Sequence, residues 1–146
     1  MEIFKIELFE KENPSNEFPS FITLDSEGTA KIRQRFAQKL KTTENLGGKE
    51  LLALLSSNCE TIKKFNATVV GFNVSEVLSD LKVFPKDKIY INWYRYDDID
   101  EMSFTDFSKY FDYIWFPSSD DIDLFDDTYD WVLSISHEGY VSYRKL

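Results

Sequence analysis

The chain predicts an α+β fold, in which an N-terminal strand and helices pack on a C-terminal antiparallel sheet with one inserted short helix. Three observations predict it. Apolar residues in the first half recur largely at helical spacing, whereas in the second half they alternate with polar ones. Charge divides at the same place: residues 1–88 hold 13 basic and 13 acidic side chains, and residues 89–146 hold 4 and 13. The aromatics follow the acids, with 16 of 24 after Lys88. Acidic tails that stay disordered are poor in aromatics, so this acid must sit on folded structure. A length of 146 residues then fits one domain, with a helical part over about 1–87 and an acidic, aromatic-rich sheet part over about 88–146.

Along the chain, Ile3, Phe4, Ile6, Leu8 and Phe9 read as a strand ended by Asn13-Pro14-Ser15-Asn16. Thr29 to Asn45 reads as a helix, with Ala30, Phe36, Ala37 and Leu40 near one face and Lys and Arg on the other. Leu46-Gly47-Gly48 breaks it. Glu50 to Phe65 reads as a second helix, with Leu51, Leu54, Leu55, Cys59 and Ile62 on or beside one stripe. Thr68 to Phe72 is a short apolar strand candidate. Asn73 suits the cap of a helix through Leu81, because its side-chain oxygen can accept from the first unpaired amides. Pro85 ends that unit.

In the second half, Lys88 to Arg95 alternates, with Ile89, Ile91 and Trp93 on one face and Tyr90, Asn92 and Tyr94 on the other. Ser103 followed by Asp106 resembles a capping box for a short helix through Phe111. Tyr113 to Phe116 reads as a strand stopped by Pro117, and Asp121 to Phe125 as another. Trp131, Leu133 and Ile135 form the inward face of the next strand, and His137-Glu138-Gly139 turns the chain into Tyr140 to Arg144.

Little of this spells catalysis, and the chain reads as a non-enzyme. The lone histidine, His137, sits beside a glycine in a hairpin-turn sequence, and the lone cysteine, Cys59, lies on an apolar stripe where a thiol behaves as a small hydrophobe. One Cys and one His cannot build a zinc site, and Gly47-Gly48-Lys49 lacks the upstream glycine of a phosphate loop. Neither Asp97-Asp98-Ile99-Asp100 nor Asp120-Asp121-Ile122-Asp123 has the central glycine of a helix–loop–helix calcium site. The expectation is no metal and no cofactor. The start of the chain has no apolar signal region and no stretch reaches membrane-spanning length, so a cytoplasmic location is expected. A net charge of −9 repels nucleic acid and anionic membranes and attracts basic proteins.

The run Tyr110-Phe111-Asp112-Tyr113-Ile114-Trp115-Phe116-Pro117-Ser118-Ser119-Asp120-Asp121, with Phe125-Asp126-Asp127 and the run from Asp130-Trp131 through His137-Glu138-Gly139-Tyr140-Val141, resembles the C-terminal part of small bacterial immunity proteins. These are antidotes of polymorphic-toxin and contact-dependent growth inhibition systems. The resemblance covers about 30 residues, from Tyr110 to Val141, and implies a binding protein that neutralises a cognate toxin domain. The residues point the same way. Nuclease toxins need basic clefts, and an acidic, aromatic face can catch and hold one. The expected partner-binding residues are Tyr96, Asp97, Asp98, Asp100, Glu101, Asp120, Asp121, Asp123, Asp126, Asp127 and Tyr129. Two other readings fit the acids: a nucleic-acid mimic that blocks a DNA-binding protein, and a small metal-dependent hydrolase using the Asp clusters.

Overall fold

The computed structural model describes residues 1–42 and 46–146. Six helices, α1 (Ile3–Glu12), α2 (Ser26–Lys39), α3 (Gly48–Ser56), α4 (Val74–Asp80), α5 (Phe104–Lys109) and α6 (Phe111–Ile114), surround a single sheet among these residues. Its strands are β1 (Phe21–Thr23), β2 (Glu60–Asn66), β3 (Lys88–Tyr94), β4 (Asp98–Ser103), β5 (Ile122–Phe125), β6 (Trp131–Ile135) and β7 (Tyr140–Lys145). They pair in the order β1-β4-β3-β5-β6-β7-β2, antiparallel throughout. The fold is therefore α+β, with the helix pair α5–α6 inserted between β4 and β5. Both edge strands come from the first half of the chain.

Strand alternation explains why both faces are covered. Ile89 and Ile91 of β3, Ile122 and Leu124 of β5, and Trp131, Leu133 and Ile135 of β6 share one face with α4, α5 and α6. Phe125 and Val132 point the other way, into a second core formed with Ile32 and Phe36 of α2 and Leu51 and Leu55 of α3. Strands buried on both sides carry apolar residues at successive positions, and β5 is buried at all four. The alternation expected for β3 holds: Ile89 and Ile91 are buried, while Tyr90 is half-buried on the opposite face. The Asn73 cap is also as expected, since its side chain accepts from the Ser75 amide at 2.8 Å. Ser103 likewise caps α5 through the Asp106 amide.

Four local expectations are corrected. Ile3–Phe9 is part of helix α1, because its buried residues are Lys5 and Phe9, one helical turn apart. Isoleucine and phenylalanine at 3, 4, 6, 8 and 9 fit either period, and burial selects the helical one. The second helix stops at Ser56, where Ser56 and Ser57 hydroxyls donate to carbonyls three residues back. The chain after Cys59 becomes β2, an edge strand with exposed Lys63 and Lys64, the kind of residue that blunts edge-to-edge pairing. Thr68–Phe72 forms turns in place of a strand: the Asn66 side chain accepts from the Thr68 amide and hydroxyl, and Gly71 takes φ +83°. Tyr113–Phe116 divides between the end of α6 and an unpaired segment, with Trp115 stacked on Phe111 one turn before it. The short helix expected through Phe111 accordingly becomes the two helices α5 and α6. For the helix expected over Thr29–Asn45, α2 accounts for the part through Lys39, and Asn45 lies outside the described residues.

The β3–β4 turn is held in an uncommon conformation. Arg95 and Tyr96 both have left-handed backbones, at φ 48° and 57°, and the Asp97 amide donates to the Tyr94 carbonyl at 3.0 Å. Turns of this kind favour Asn and Gly, and each other residue costs about 1–2 kcal/mol. Three contacts hold it. The Asn92 side chain accepts from the Tyr96 amide at 2.7 Å, Arg33 donates to the Tyr96 carbonyl at 2.8 Å, and α3 abuts the turn through Gly48. A Cβ on Gly48 would lie 1.7 Å from the Arg95 carbonyl oxygen. Gly48→Ala is therefore expected to destabilise the protein by at least about 2 kcal/mol in urea unfolding, although alanine favours a helix more than glycine does.

Candidate functional site: an acid-rimmed cleft at one end of the sheet

Strand polarity decides where the acids go. One end of the sheet carries the end of β3, the start of β4 and the start of β5, and so collects Asp97, Asp98 and Asp121. The other end carries the β5–β6 connection, with Asp126, Asp127 and Tyr129. Five residues of strand separate Asp121 from Asp126, about 17 Å. The expected binding stretch thus splits between two ends.

Burial divides it further. Tyr96, Asp100, Asp120, Asp123 and Asp126 are interior residues, which corrects their expected place on a binding surface. Each buried acid has partners that account for it. Asp100 accepts from the Thr23 hydroxyl at 2.5 Å and the Trp93 indole at 2.7 Å, and pairs with the Met1 ammonium. Asp126 accepts from the Lys86 and Thr128 amides, both at 3.0 Å, and from the Thr128 hydroxyl, which pins the β5–β6 connection. Asp120 receives the Lys5 ammonium at 2.6 Å and the Phe116 amide at 2.8 Å. Lys5 is fully buried and lies 4.0 Å from the centre of the Trp93 ring.

Asp123 lies on the other face. It accepts from Ser134 at 2.5 Å and Asn92 at 3.0 Å, and burial raises its pKa, with those bonds and the nearby Tyr96 hydroxyl acting against the rise. Tyr96 is itself sealed in, and its pKa is pushed well up, first by burial and then by Asp123. Its hydroxyl makes no well-formed hydrogen bond to a described residue. Cys59 borders this cluster, and burial followed by Asp123 raises its thiol pKa, away from the thiolate a nucleophile requires.

Among the expected residues, Asp97, Asp98, Asp121 and Asp127 are exposed, and Glu101 and Tyr129 are half-buried. Several are matched internally. Arg33 pairs with Asp97 at 2.6 Å and Lys88 with Glu101 at 2.6 Å. Asp121 accepts from the His137 amide at 2.8 Å and meets its ring Nδ1 at 3.0 Å. Tyr129 packs edge-on against Phe36 with ring centres 5.0 Å apart, and its pKa rises to about 12, chiefly through burial and then Tyr90. It is a core-edge residue.

The exposed acids that converge do so at a cleft of about 470 Å³. Glu2 enters from α1, Asp98 from β4 and Asp121 from the loop before β5, while Trp93 and Tyr94 supply aromatic surface. The remaining lining is Met1, whose ammonium pairs with the buried Asp100, with Thr23, Ser119 and Asp120; no lysine or arginine lines the cleft, though the buried Lys5 ammonium lies 3.5 Å from Glu2. Glu2 and Tyr94 were missed in the sequence, since nothing local marks residue 2 as a neighbour of residues 94, 98 and 121. The 117–121 loop that walls the cleft is tied to the β6–β7 turn, with the Ser118 amide donating to the His137 carbonyl at 2.8 Å. Among the described residues no group of three or more Asp, Glu, His or Cys is placed to hold a metal ion, and no helix is long and apolar enough to cross a membrane. No family model, curated protein or solved structure matches this chain.

Two stability predictions follow from these buried groups. Lys5→Met should destabilise by about 3 kcal/mol in denaturant unfolding, because it strands the Asp120 carboxylate without its cation. Asp123 has the opposite leaning. A carboxyl whose folded pKa is raised contributes stability that is full below its unfolded pKa of about 3.8 and that is lost as pH rises through the folded value. Thermal melts should therefore show Asp123→Asn gaining on the wild type as pH rises from about 4 to about 7.

Proposed function

We propose that the protein is a non-enzymatic immunity protein that binds and neutralises a basic, nuclease-type toxin domain in the cytoplasm, and that the cleft end of the sheet makes the contact. The observation that carries this reading is the convergence of Glu2, Asp98 and Asp121 on a cleft with aromatic surface and no lysine or arginine in its lining. Carboxylates so placed give charge-assisted hydrogen bonds to Arg and Lys, and exposed acids speed encounter with a cationic partner. The resemblance of Tyr110–Val141 to immunity proteins supports the same reading, because Ser119, Asp120 and Asp121 of that stretch line the cleft.

The earlier mimicry and hydrolase readings draw less support. Burial of Asp100, Asp120, Asp123 and Asp126 breaks up any phosphate-like row of carboxylates. Within Asp120-Asp121-Ile122-Asp123, Asp120 turns to Lys5 and Asp123 to Asn92 and Ser134 on the opposite face.

The test is co-expression with the toxin domain encoded in the neighbouring reading frame, together with binding kinetics on the purified pair. Wild-type protein is expected to restore growth and form a complex. Glu2→Lys/Asp98→Lys is expected to slow association about tenfold at low salt and to flatten its salt dependence. A wild-type chain that neither protects nor binds would overturn the reading.

A further inference from the structure

We infer that the docking surface is the whole cleft end of the sheet, a strip that runs from the cleft across to the Val69–Val70 turn and is anchored by Tyr94, Tyr140 and Val70. The inference rests on the immunity reading for its partner, a folded cationic protein domain, and adds where and through which side chains that partner is held.

The strand register carries it. Tyr94 pairs with Asp98, Asn92 with Asp123, Ile122 with Ile135, Ile135 with Val141, and Tyr140 with Asn66. The end of β3, the β6–β7 turn and the end of β2 are therefore all at one end of the sheet. From β4 to β2 is five strand spacings, about 24 Å. A partner footprint of about 800 Å² is roughly 28 Å across, so the strip has the length of a standard interface.

Most of the exposed large apolar side chains lie there, the exceptions being Phe84 and Ile22 of β1, which is 58% exposed and pairs with Glu101 midway along β4. Val70 is fully exposed, Val69 is 62%, Tyr140 56% and Tyr94 55% exposed, and Ile3 and Phe4 flank the cleft from the first turn of α1. Phe84, on the segment before β3, lies at the opposite end, near Asp126. Surface isoleucine and valine scattered singly need no explanation, but this grouping along one edge does.

Charge complementarity selects the occupant. Glu2, Asp98, Asp121 and Glu138 are exposed along the same strip. Arg95 is drawn over the Tyr94 ring, with its guanidinium carbon 4.4 Å from the ring centre. At the opposite end, Asp127 shares its surroundings with Arg35 and Lys39. At the cleft end a cationic partner thus meets Asp98 and Glu138 beside aromatic anchors, together with Glu2 and Asp121, whose charge is partly offset by Lys5 at 3.5 Å and His137 at 3.0 Å. Rigid presentation also favours this end: the contacts of Asn92, Arg33 and Gly48 hold the turn that carries Tyr94, so little conformational freedom is lost on binding.

The experiment measures binding of the neighbouring-frame toxin domain to single variants of the intact chain, with circular dichroism and melting to verify folding. Tyr94→Ala, Tyr140→Ala and Val70→Asp are each expected to weaken the complex at least about tenfold. Phe84→Asp and Asp127→Lys should bind within about twofold of wild type. Val70 and Phe84 are well exposed, so their variants keep the fold. If the opposite-end variants weaken binding and the strip variants do not, the strip is wrong while the immunity reading stands. If wild type does not bind at all, both fall. A wild-type chain that self-associates in solution, with Val70→Asp rendering it monomeric, would assign the strip to a second copy and overturn the toxin as its occupant.

Discussion

The Lys5–Asp120 pair is the interaction on which the cleft end depends. An ammonium with no solvent contact is tolerable only with a carboxylate beside it and further groups to replace water. Here the carboxylate lies at 2.6 Å, the Trp93 ring covers the ammonium at 4.0 Å, and the Asp120 carbonyl accepts from the Trp115 indole at 2.8 Å. One ion pair thus joins α1, β3 and the loop before β5, which lie far apart in the chain. Those three segments supply Glu2, Trp93 with Tyr94, and Asp121 to the cleft. The site's geometry is a by-product of how a buried charge was accommodated.

The same logic changes what a net charge of −9 means. The acidic half does not present its carboxylates as one field, because the neutral half supplies cations to it. Lys5 reaches Asp120, Arg33 reaches Asp97, and Lys39 reaches Asp130. Exposed pairs of this kind add little stability, but they remove acid from the surface that a partner meets. At the cleft end the exposed acids are Glu2, Asp98 and Asp121, brought together by the fold and not by composition, with Lys5 and His137 beside two of them. A count along the sequence therefore overstates the acidic face and misplaces its centre.

Fold class was legible because it rests on patterns long enough to average out. The alternation of β3 and β6 and the Asn73 and Ser103 caps are local chemistry, and they appear where the residues ask for them. Misreadings fell where two periods fit equally well, as at Ile3–Phe9, or where an edge strand is polar, as in Glu60–Asn66. The candidate site was less legible for a different reason. Asp120 and Asp121 are adjacent and chemically identical, yet one neutralises a buried lysine and the other faces the cleft. That difference is set by Lys5, more than a hundred residues earlier, and no local window contains it.

The β3–β4 turn joins the second core to the cleft. A two-residue turn of this hand would be most stable with Asn and Gly, and Arg95-Tyr96 replaces both with residues that resist it. Tyr96 has a compensation, since its ring is buried against Phe36 and Phe125, with centres 5.5 and 5.9 Å away. Arg95 has no such burial: its guanidinium lies over Tyr94, and its carbonyl meets the bare Cα of Gly48. Strain retained at one residue while its neighbours are rigidly held is typical of positions whose geometry serves a contact. The turn fixes the backbone on both sides of the Tyr94–Asp98 pair, the point at which the aromatic and the acidic surfaces of the cleft meet. A looser Asn-Gly turn would relieve the strain and remove the Tyr96 anchor that binds this hairpin to α2.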